Sequence, residues 1–451
     1  MKIAEIFYHK YKHLVPDRLL YCSDYFKLEK ILRTGDDKLA EDGRRERLRH
    51  VLLVASQHVP AYQNIRLSST TVLNECPYEL LSLFPYTEKD EIMDSPRSYL
   101  HQHANLLFAK YATSGGTTGR GVGIWRPKKS ADIERLFFNV RWGVTGYSGA
   151  KSKVLRLAAE GIRRHNEHPV SRRGNTTLMS PYHISRRHIE SIAKSLQQSS
   201  FDFIHAYSSV FFEFTYLARE IIPENKFKIS GIFLGSEPTS IEQLRIIYDY
   251  WKCPIIVHYG LNERTNLGFY RFSPRDQSIS YTLEPLYSVS ELYNDSSEIV
   301  GTGLWNTLMP IIRYRTKDHG IFRDGKIEQL IGREENYLID IHGERISGMS
   351  IVIDEVTWGQ VRQYQIQQRV PGKIEICVVP RFEKIEKNFL SYILKQQLNR
   401  WGGFFDISIR VCNEIPLTKS GKIRHIDVQI PPELLESKNS NFVYDKPVGT
   451  L

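Results

Sequence analysis

Apolar positions in the first hundred residues recur at helical spacing, so residues 1–99 read as mainly helical. Arg44 to Ala55 is one such segment, closed by Val59-Pro60. Leu83-Phe84-Pro85 interrupts the pattern, and Thr87 stands where it would cap a turn into Glu88-Lys89-Asp90. Val122-Gly123-Ile124-Trp125 reads as the returning strand of a hairpin. From Ile133 to about Gly260 helices and short strands alternate. Strands are expected at Phe201 to Ala206, Lys228 to Leu234 and Pro254 to Tyr259, with helices at Phe211 to Glu220 and Ser240 to Tyr250. This βαβ rhythm predicts an α/β fold with a mostly parallel sheet, and ligands of such sheets sit beyond the carboxyl ends of the strands. After Asn266 the pattern turns extended and antiparallel, through Ile299 to Leu304, Pro310 to Tyr314, and a hairpin from Ile321 to Ile327 around Asp324-Gly325. Beyond Gly332-Arg333 the chain starts over: strands at Ile374 to Val379 and Phe404 to Cys412 flank a helix at Glu386 to Arg400. The expected division is therefore a large domain over 1–332, a small α+β domain over 333–430 and a polar tail over 431–451.

Composition narrows the class. A chain of 451 residues with 41% apolar content carries a real core and has room for two or three domains. No apolar stretch reaches the roughly 18 residues of a membrane span, which points to the cytoplasm. The five cysteines form no C-x-x-C pair, so neither a disulfide framework nor a structural zinc site is expected. A formal charge of +10 attracts anions, and Arg163-Arg164, Arg172-Arg173 and Arg186-Arg187-His188 supply part of it. No zinc-finger spacing or RNA-binding signature accompanies these patches, so nucleic acid is not the expected partner; they edge a substrate pocket or a surface for an anionic partner.

The richest chemistry lies in Tyr111-Ala112-Thr113-Ser114-Gly115-Gly116-Thr117-Thr118-Gly119-Arg120-Gly121. Glycines without Cβ atoms let backbone amides and hydroxyls converge on a polyphosphate. The spacing is not that of a P-loop, and the predicted context is a turn between two strands. Four more clusters follow: Gly235-Ser236-Glu237-Pro238, His258-Tyr259-Gly260-Leu261-Asn262-Glu263, Tyr314-Arg315-Thr316-Lys317-Asp318, and Pro416-Leu417-Thr418-Lys419-Ser420-Gly421-Lys422.

In order and type together these clusters resemble the adenylate-forming enzymes, in particular the phenylacetate-CoA ligase-like branch that includes proteins of capsular polysaccharide gene clusters. Leu83 to Asp90 matches that branch's segment before the loop, so the resemblance runs from about Val59 to Arg424. It implies a large N-terminal domain that binds ATP and a carboxylic acid, and a small mobile C-terminal domain that supplies a lysine. The carboxylate attacks the α-phosphorus, pyrophosphate leaves, and a thiol or another nucleophile then takes the acyl group. On this resemblance Ser114, Gly115, Gly116, Thr117, Thr118 and Gly119 hold phosphates, and Tyr259 and Gly260 lie near the adenine. Glu237 shapes the adenine and acyl pocket, and Asp318 binds the ribose. Glu263 holds Mg²⁺, whose charge offsets the triphosphate. Arg333 reaches ribose or phosphate, and Lys422 is the catalytic ammonium. The implied cosubstrates are ATP, Mg²⁺ and CoA.

Two departures stand out. The loop ends in Arg120-Gly121 where the family carries a lysine-like residue and then proline, and the hinge aspartate aligns with Glu335 or Asn336. The family's metal-binding cysteines find no counterpart, so zinc is not expected. The resemblance also places Tyr207, Phe211, Phe212, Phe214 and Phe233 at the acyl pocket, where they suit an aromatic or short apolar acid or serve as ordinary core. His205, His258 and His319 line the site or are structural. An amine or hydroxyl acceptor on a sugar, an inactive nucleotide-binding protein, and a homodimer remain open alternatives.

Overall fold

The computed structural model describes residues 14–431 apart from 114–121, 159–160, 162–166, 225, 238, 295, 334–336, 344, 348–356, 358–359, 383–384 and 419–422. These form two units. One holds 14–316 and Ile321–Gln329; the other holds Lys317–Gly320, Leu330–Thr418 and 423–431.

After a single helical turn at Asp17–Leu20, the first unit runs through helices α1 (Ser23–Thr34) and α2 (Asp37–His58), followed by short helices at Ser69–Asn74, Pro77–Ser82 and Lys89–Asp94. Gly35 stops α1 with a φ of 65°, and the Asp36 carboxylate caps α2 by accepting from the Leu39 amide at 3.0 Å. Thr87 is not the cap expected from the sequence. Glu88 caps the next helix, in a reciprocal box with Glu91. Thr87 is instead fully buried: its amide donates to Arg313 O at 3.0 Å, its carbonyl accepts from the Arg315 amide at 3.0 Å, and its hydroxyl donates to Ile312 O at 2.7 Å. A hydroxyl with a buried carbonyl beside it is worth more there than at a solvated helix end.

Strands β1 (Ala109–Thr113) and β2 (Gly123–Pro127) pair antiparallel as a hairpin, and β2 leads into helix α3 (Lys128–Gly143). A larger sheet follows. Its parallel centre consists of β3 (Val154–Leu157), β5 (Thr176–Met179), β6 (Phe203–Tyr207), β7 (Gly231–Gly235) and β8 (Ile255–Gly260), and β4 (Val170–Arg173) pairs antiparallel with β5 at the edge. Arg172 and Arg173 thus sit on an edge strand, where charge discourages strand addition from another chain. Helices α4 (Arg186–Gln197), α5 (Ser208–Ile221) and α6 (Ile241–Trp251) pack side by side. The sheet continues antiparallel through β9 (Leu267–Arg271), β10 (Tyr281–Leu283), β11 (Ser288–Leu292), β12 (Glu298–Gly303), β13 (Tyr314–Arg323) and β14 (Lys326–Arg333), in spatial order β11-β12-β13-β14-β10-β9-β8-β7-β6-β3-β5-β4. The α/β class is as expected, and the sheet is mixed: its βαβ centre is parallel and the strands after Asn266 are antiparallel.

The strand expected at Pro310 to Tyr314 begins only at Tyr314 and runs on to Arg323. Arg313, at φ 49°, breaks the extended chain just before it. Lys317, at φ 60°, breaks the alternation within it, so Asp318 and His319 are buried in succession.

The second unit carries a two-stranded ladder of β15 (Tyr337–Ile339) and β16 (Arg345–Ser347) and a smaller sheet, in order β19-β18-β17-β20, from β17 (Val361–Val370), β18 (Lys373–Pro380), β19 (Asp406–Val411) and β20 (Ile426–Val428). Helix α7 (Lys387–Trp401) contributes Ile393 to a core of Val361, Ile366, Ile376, Val378, Phe405 and Ile426.

Candidate active site

The described flanks of the glycine loop are tied to the second polar cluster. Arg126, on β2 directly after the loop, donates through Nη2 to the backbone oxygen of Asn262 and, at 2.5 Å, to its Oδ1. Burial, then the neighbouring Arg264, lowers the Arg126 pKa. Arg264, at φ 61°, ties the same turn to α3 through Ser130 Oγ at 2.7 Å and Glu134 Oε2 at 2.6 Å. Between these braces Glu263 is only 7% exposed, and its Oε1 accepts from the Tyr314 hydroxyl at 3.1 Å. Tyr314 starts β13, the strand along which Thr87 lies. The segment before the loop, the loop's returning strand, the Asn262-Glu263 turn and the start of the Tyr314 cluster therefore meet in one place.

Arg315 plays a structural part in that meeting. It binds the carboxylates of Glu298 and Glu88 and stacks 3.8 Å over the Tyr293 ring. Burial opposes its charge, and the two carboxylates outweigh burial and raise its pKa. Arg313 stacks on Tyr86 at 3.9 Å and donates to Phe84 O at 3.0 Å. Sequence alone did not assign these arginines, because their partners lie 229 and 227 residues earlier in the chain.

At the neighbouring strand ends, Glu237 Oε2 accepts from the backbone amide and the hydroxyl of Ser209, at 3.1 and 2.6 Å. An anion at the first turn of α5 matches the partial positive charge of a helix N-terminus. Ser236 before it holds φ 67°, so Ser236, Arg264, Arg313 and Lys317 are four non-glycine residues in the left-handed region within the polar clusters or beside them. Gly235 lies against the imidazole of His258; a Cβ there would sit 2.2 Å from Cε1. Tyr259 is buried with its ring centroid 6.0 Å from Tyr281, and Gly260 is exposed. Asp318 is 5% exposed. Arg333 ends β14 after Gly332, whose φ of 128° suits glycine.

Ser114, Gly115, Gly116, Thr117, Thr118, Gly119, Lys422, both hinge candidates Glu335 and Asn336, and the side chain of Arg333 lie outside the described residues. Of the aromatic residues expected at an acyl pocket, Phe211 and Phe214 stack on Trp251 of α6 and are fully buried, which makes them core. Phe233 stacks on Trp142 of α3 at 4.2 Å and 2°. Among the described residues, no three His, Cys, Asp or Glu side chains are grouped to hold a metal ion. No helix among them is long and apolar enough to cross a membrane.

No sequence-family model matches the chain. It is 21% identical to protein CapK of Staphylococcus aureus over 371 residues, 76% of this chain and 79% of that protein. Two crystal structures of 2-hydroxyisobutyryl-CoA ligase in the postadenylation state, with R3-HIB-AMP and with 2-HIB-AMP, each match it with a TM-score of 0.61 at 15% identity, over 87% of this chain and 90% of theirs. The chain shares that ligase's fold. A further structure of the ligase, with 2-HIB-AMP and CoA in the thioesterification state, matches at 0.51 and 14% identity, over 86% and 89%.

Proposed function

We propose that this protein activates a carboxylic acid with ATP and passes the acyl group to CoA. The observation that carries the reading is the convergence of the loop's returning strand, Glu263 and Tyr314, held by the Arg126 and Arg264 braces. In this reading the acid's carboxylate, already ionised at neutral pH, attacks the α-phosphorus. The bond from that phosphorus to the bridging oxygen breaks and pyrophosphate leaves. The CoA sulfur then attacks the acyl carbonyl, AMP departs, and the thiol proton goes to solvent.

Ser114, Gly115, Gly116, Thr117, Thr118 and Gly119 would replace the water lost by the β and γ phosphates. Tyr259, Gly260 and Glu237 would flank the adenine, Asp318 would accept from the ribose hydroxyls, and Arg333 would reach ribose or phosphate. The chemistry at Glu263 fits Mg²⁺: one buried carboxylate, its Oε1 oriented by Tyr314, would hold the ion, and phosphate oxygens and water would complete the oxygen donors it prefers. Mg²⁺ there would neutralise the triphosphate. Lys422 would neutralise charge building between the α-phosphate and the carboxylate.

A second reading, carried by the sequence resemblance to proteins of capsular polysaccharide gene clusters, puts an amine or hydroxyl of a sugar in place of CoA. Acid-dependent release of AMP and pyrophosphate, measured with and without CoA on wild type and Lys422→Ala, separates the readings. Turnover that needs CoA and Lys422 supports the ligase; adenylate formation without CoA consumption supports the other acceptor. ATP binding with no AMP from any acid would sink both in favour of an inactive nucleotide-binding protein.

A further inference from the structure

Arg156 on β3 and His205 on β6 are direct register partners, and His205 pairs in turn with Phe233 on β7. Partners in parallel strands point to the same side, so the three side chains form one row on the face that Trp142 of α3 covers. Trp142 lies 4.9 Å from His205, and its ring centroid is 6.2 Å from that of His258, whose own ring is 6.0 Å from His205. Tyr147 closes the group against Phe233 at 5.3 Å. Arg156, Tyr147, His205 and His258 are half-buried, whereas Leu155, Ile204 and Val257, next to them on the same strands, are fully buried. Side chains at the centre of a sheet keep such exposure only where a solvent-reached space adjoins them.

The protonation of this row follows from its hydrogen bond. A guanidinium only donates, so the 2.9 Å contact between Arg156 Nη1 and His205 Nδ1 makes Nδ1 the acceptor and leaves the proton on Nε2. Burial, then Arg156 and His258, holds the His205 pKa well below its usual value and keeps the ring neutral. The row therefore offers a fixed positive charge and an imidazole N–H in an aromatic box. A plain hydrocarbon tail offers a guanidinium or an imidazole N–H nothing to donate to, whereas an oxygen on the tail does.

Building on the adenylation reading, we propose that the space between α3 and the carboxyl ends of β3, β6 and β8 receives the tail of an acid bearing a second oxygen acceptor, a hydroxyl or carboxylate, recognised by Arg156 and His205. The pocket then selects against the unadorned aryl or short aliphatic acids that its aromatic content alone suggests.

The test uses matched acids: butyrate, 4-hydroxybutyrate and succinate, and benzoate, 3-hydroxybenzoate and isophthalate. Pyrophosphate release and equilibrium binding by calorimetry are measured for wild type, Arg156→Met and Arg156→Lys, each checked for intact melting. At least one oxygen-bearing acid should beat its plain counterpart by about tenfold or more in kcat/KM, and Arg156→Met should erase that preference while sparing the plain acid. Arg156→Lys should restore it in part. Plain acids turned over as well as the others, with a ratio unmoved in Arg156→Met, would overturn the subsite and leave adenylation standing. Arg156-dependent binding of an oxygen-bearing acid with no pyrophosphate from any acid would uphold the subsite and sink adenylation.

Discussion

Gly235→Ala tests the packing at the strand ends. A Cβ there would lie 2.2 Å from Cε1, 2.4 Å from Nδ1 and 2.5 Å from Nε2 of His258, so the whole imidazole has to retreat by roughly 1 Å to regain van der Waals separation. Behind it stand Phe138 at 5.1 Å, edge-on, and Phe269 at 6.4 Å, which leave little room. Overpacking of this kind costs about 1–3 kcal/mol. In a His258→Ala background the same methyl enters vacated space, and losing the glycine's freedom in the unfolded chain makes it favourable by about 0.4–1 kcal/mol. A double-mutant cycle should thus show a coupling of about 1.4–4 kcal/mol. Urea unfolding followed by tryptophan fluorescence measures it, because Trp142 lies beside the His258 ring. An equal penalty in both backgrounds, with coupling under about 0.5 kcal/mol, would refute the reasoning.

Glu263→Gln should lower pyrophosphate release by about 100-fold or more, since a carboxamide oxygen carries no charge to hold Mg²⁺; activity within a few-fold of wild type would remove Glu263 from the metal's ligands. Tyr314→Phe deletes the 3.1 Å bond to that carboxylate and should cost roughly tenfold in kcat/KM, with urea stability changed far less than the rate. Arg126→Met should loosen the returning strand and raise the KM for ATP about tenfold, and an unchanged KM would show that the Asn262 brace does not position the loop. In the second unit, burial pushes His425 down to about 4, with a backbone bond to Tyr364 opposing. The neutral ring is the folded form, so its contribution is complete above the unfolded pKa of about 6.5 and is lost as pH falls toward 4, on the order of 3 kcal/mol in all. Urea midpoints at pH 7, 5 and 4 should fall accordingly, and His425→Gln should flatten that slope.

The sequence conveyed the βαβ centre well because β6, β7 and β8 are short apolar runs set between clear helices. It was silent on β17, where Gln363, Gln365, Gln367 and Gln368 interrupt any apolar alternation. Gln368 is in fact buried and bonds the amide and carbonyl of Ile339 through its own side chain, at 2.7 Å each. A glutamine that replaces strand pairing cannot be told from a solvated one by pattern alone. Thr87 was misread for a related reason: a hydroxyl before an acidic turn looks like a cap, and its true partner lies 225 residues further along. Arg156 and His205 were invisible as a pair because only strand register sets them side by side.

That bridge at Thr87 has a consequence for how the chain is made. Tyr62, Phe84 and Thr87 complete their burial against residues 310–315, with Tyr62 accepting from the Ile312 amide 250 positions later. At about 5–20 residues per second, the first hundred residues would leave the ribosome roughly 10–50 s before their partners exist. During that interval their apolar faces are open to neighbouring chains, which makes these nascent first hundred residues a natural client for a holding chaperone and truncated products ending before Tyr314 prone to aggregate.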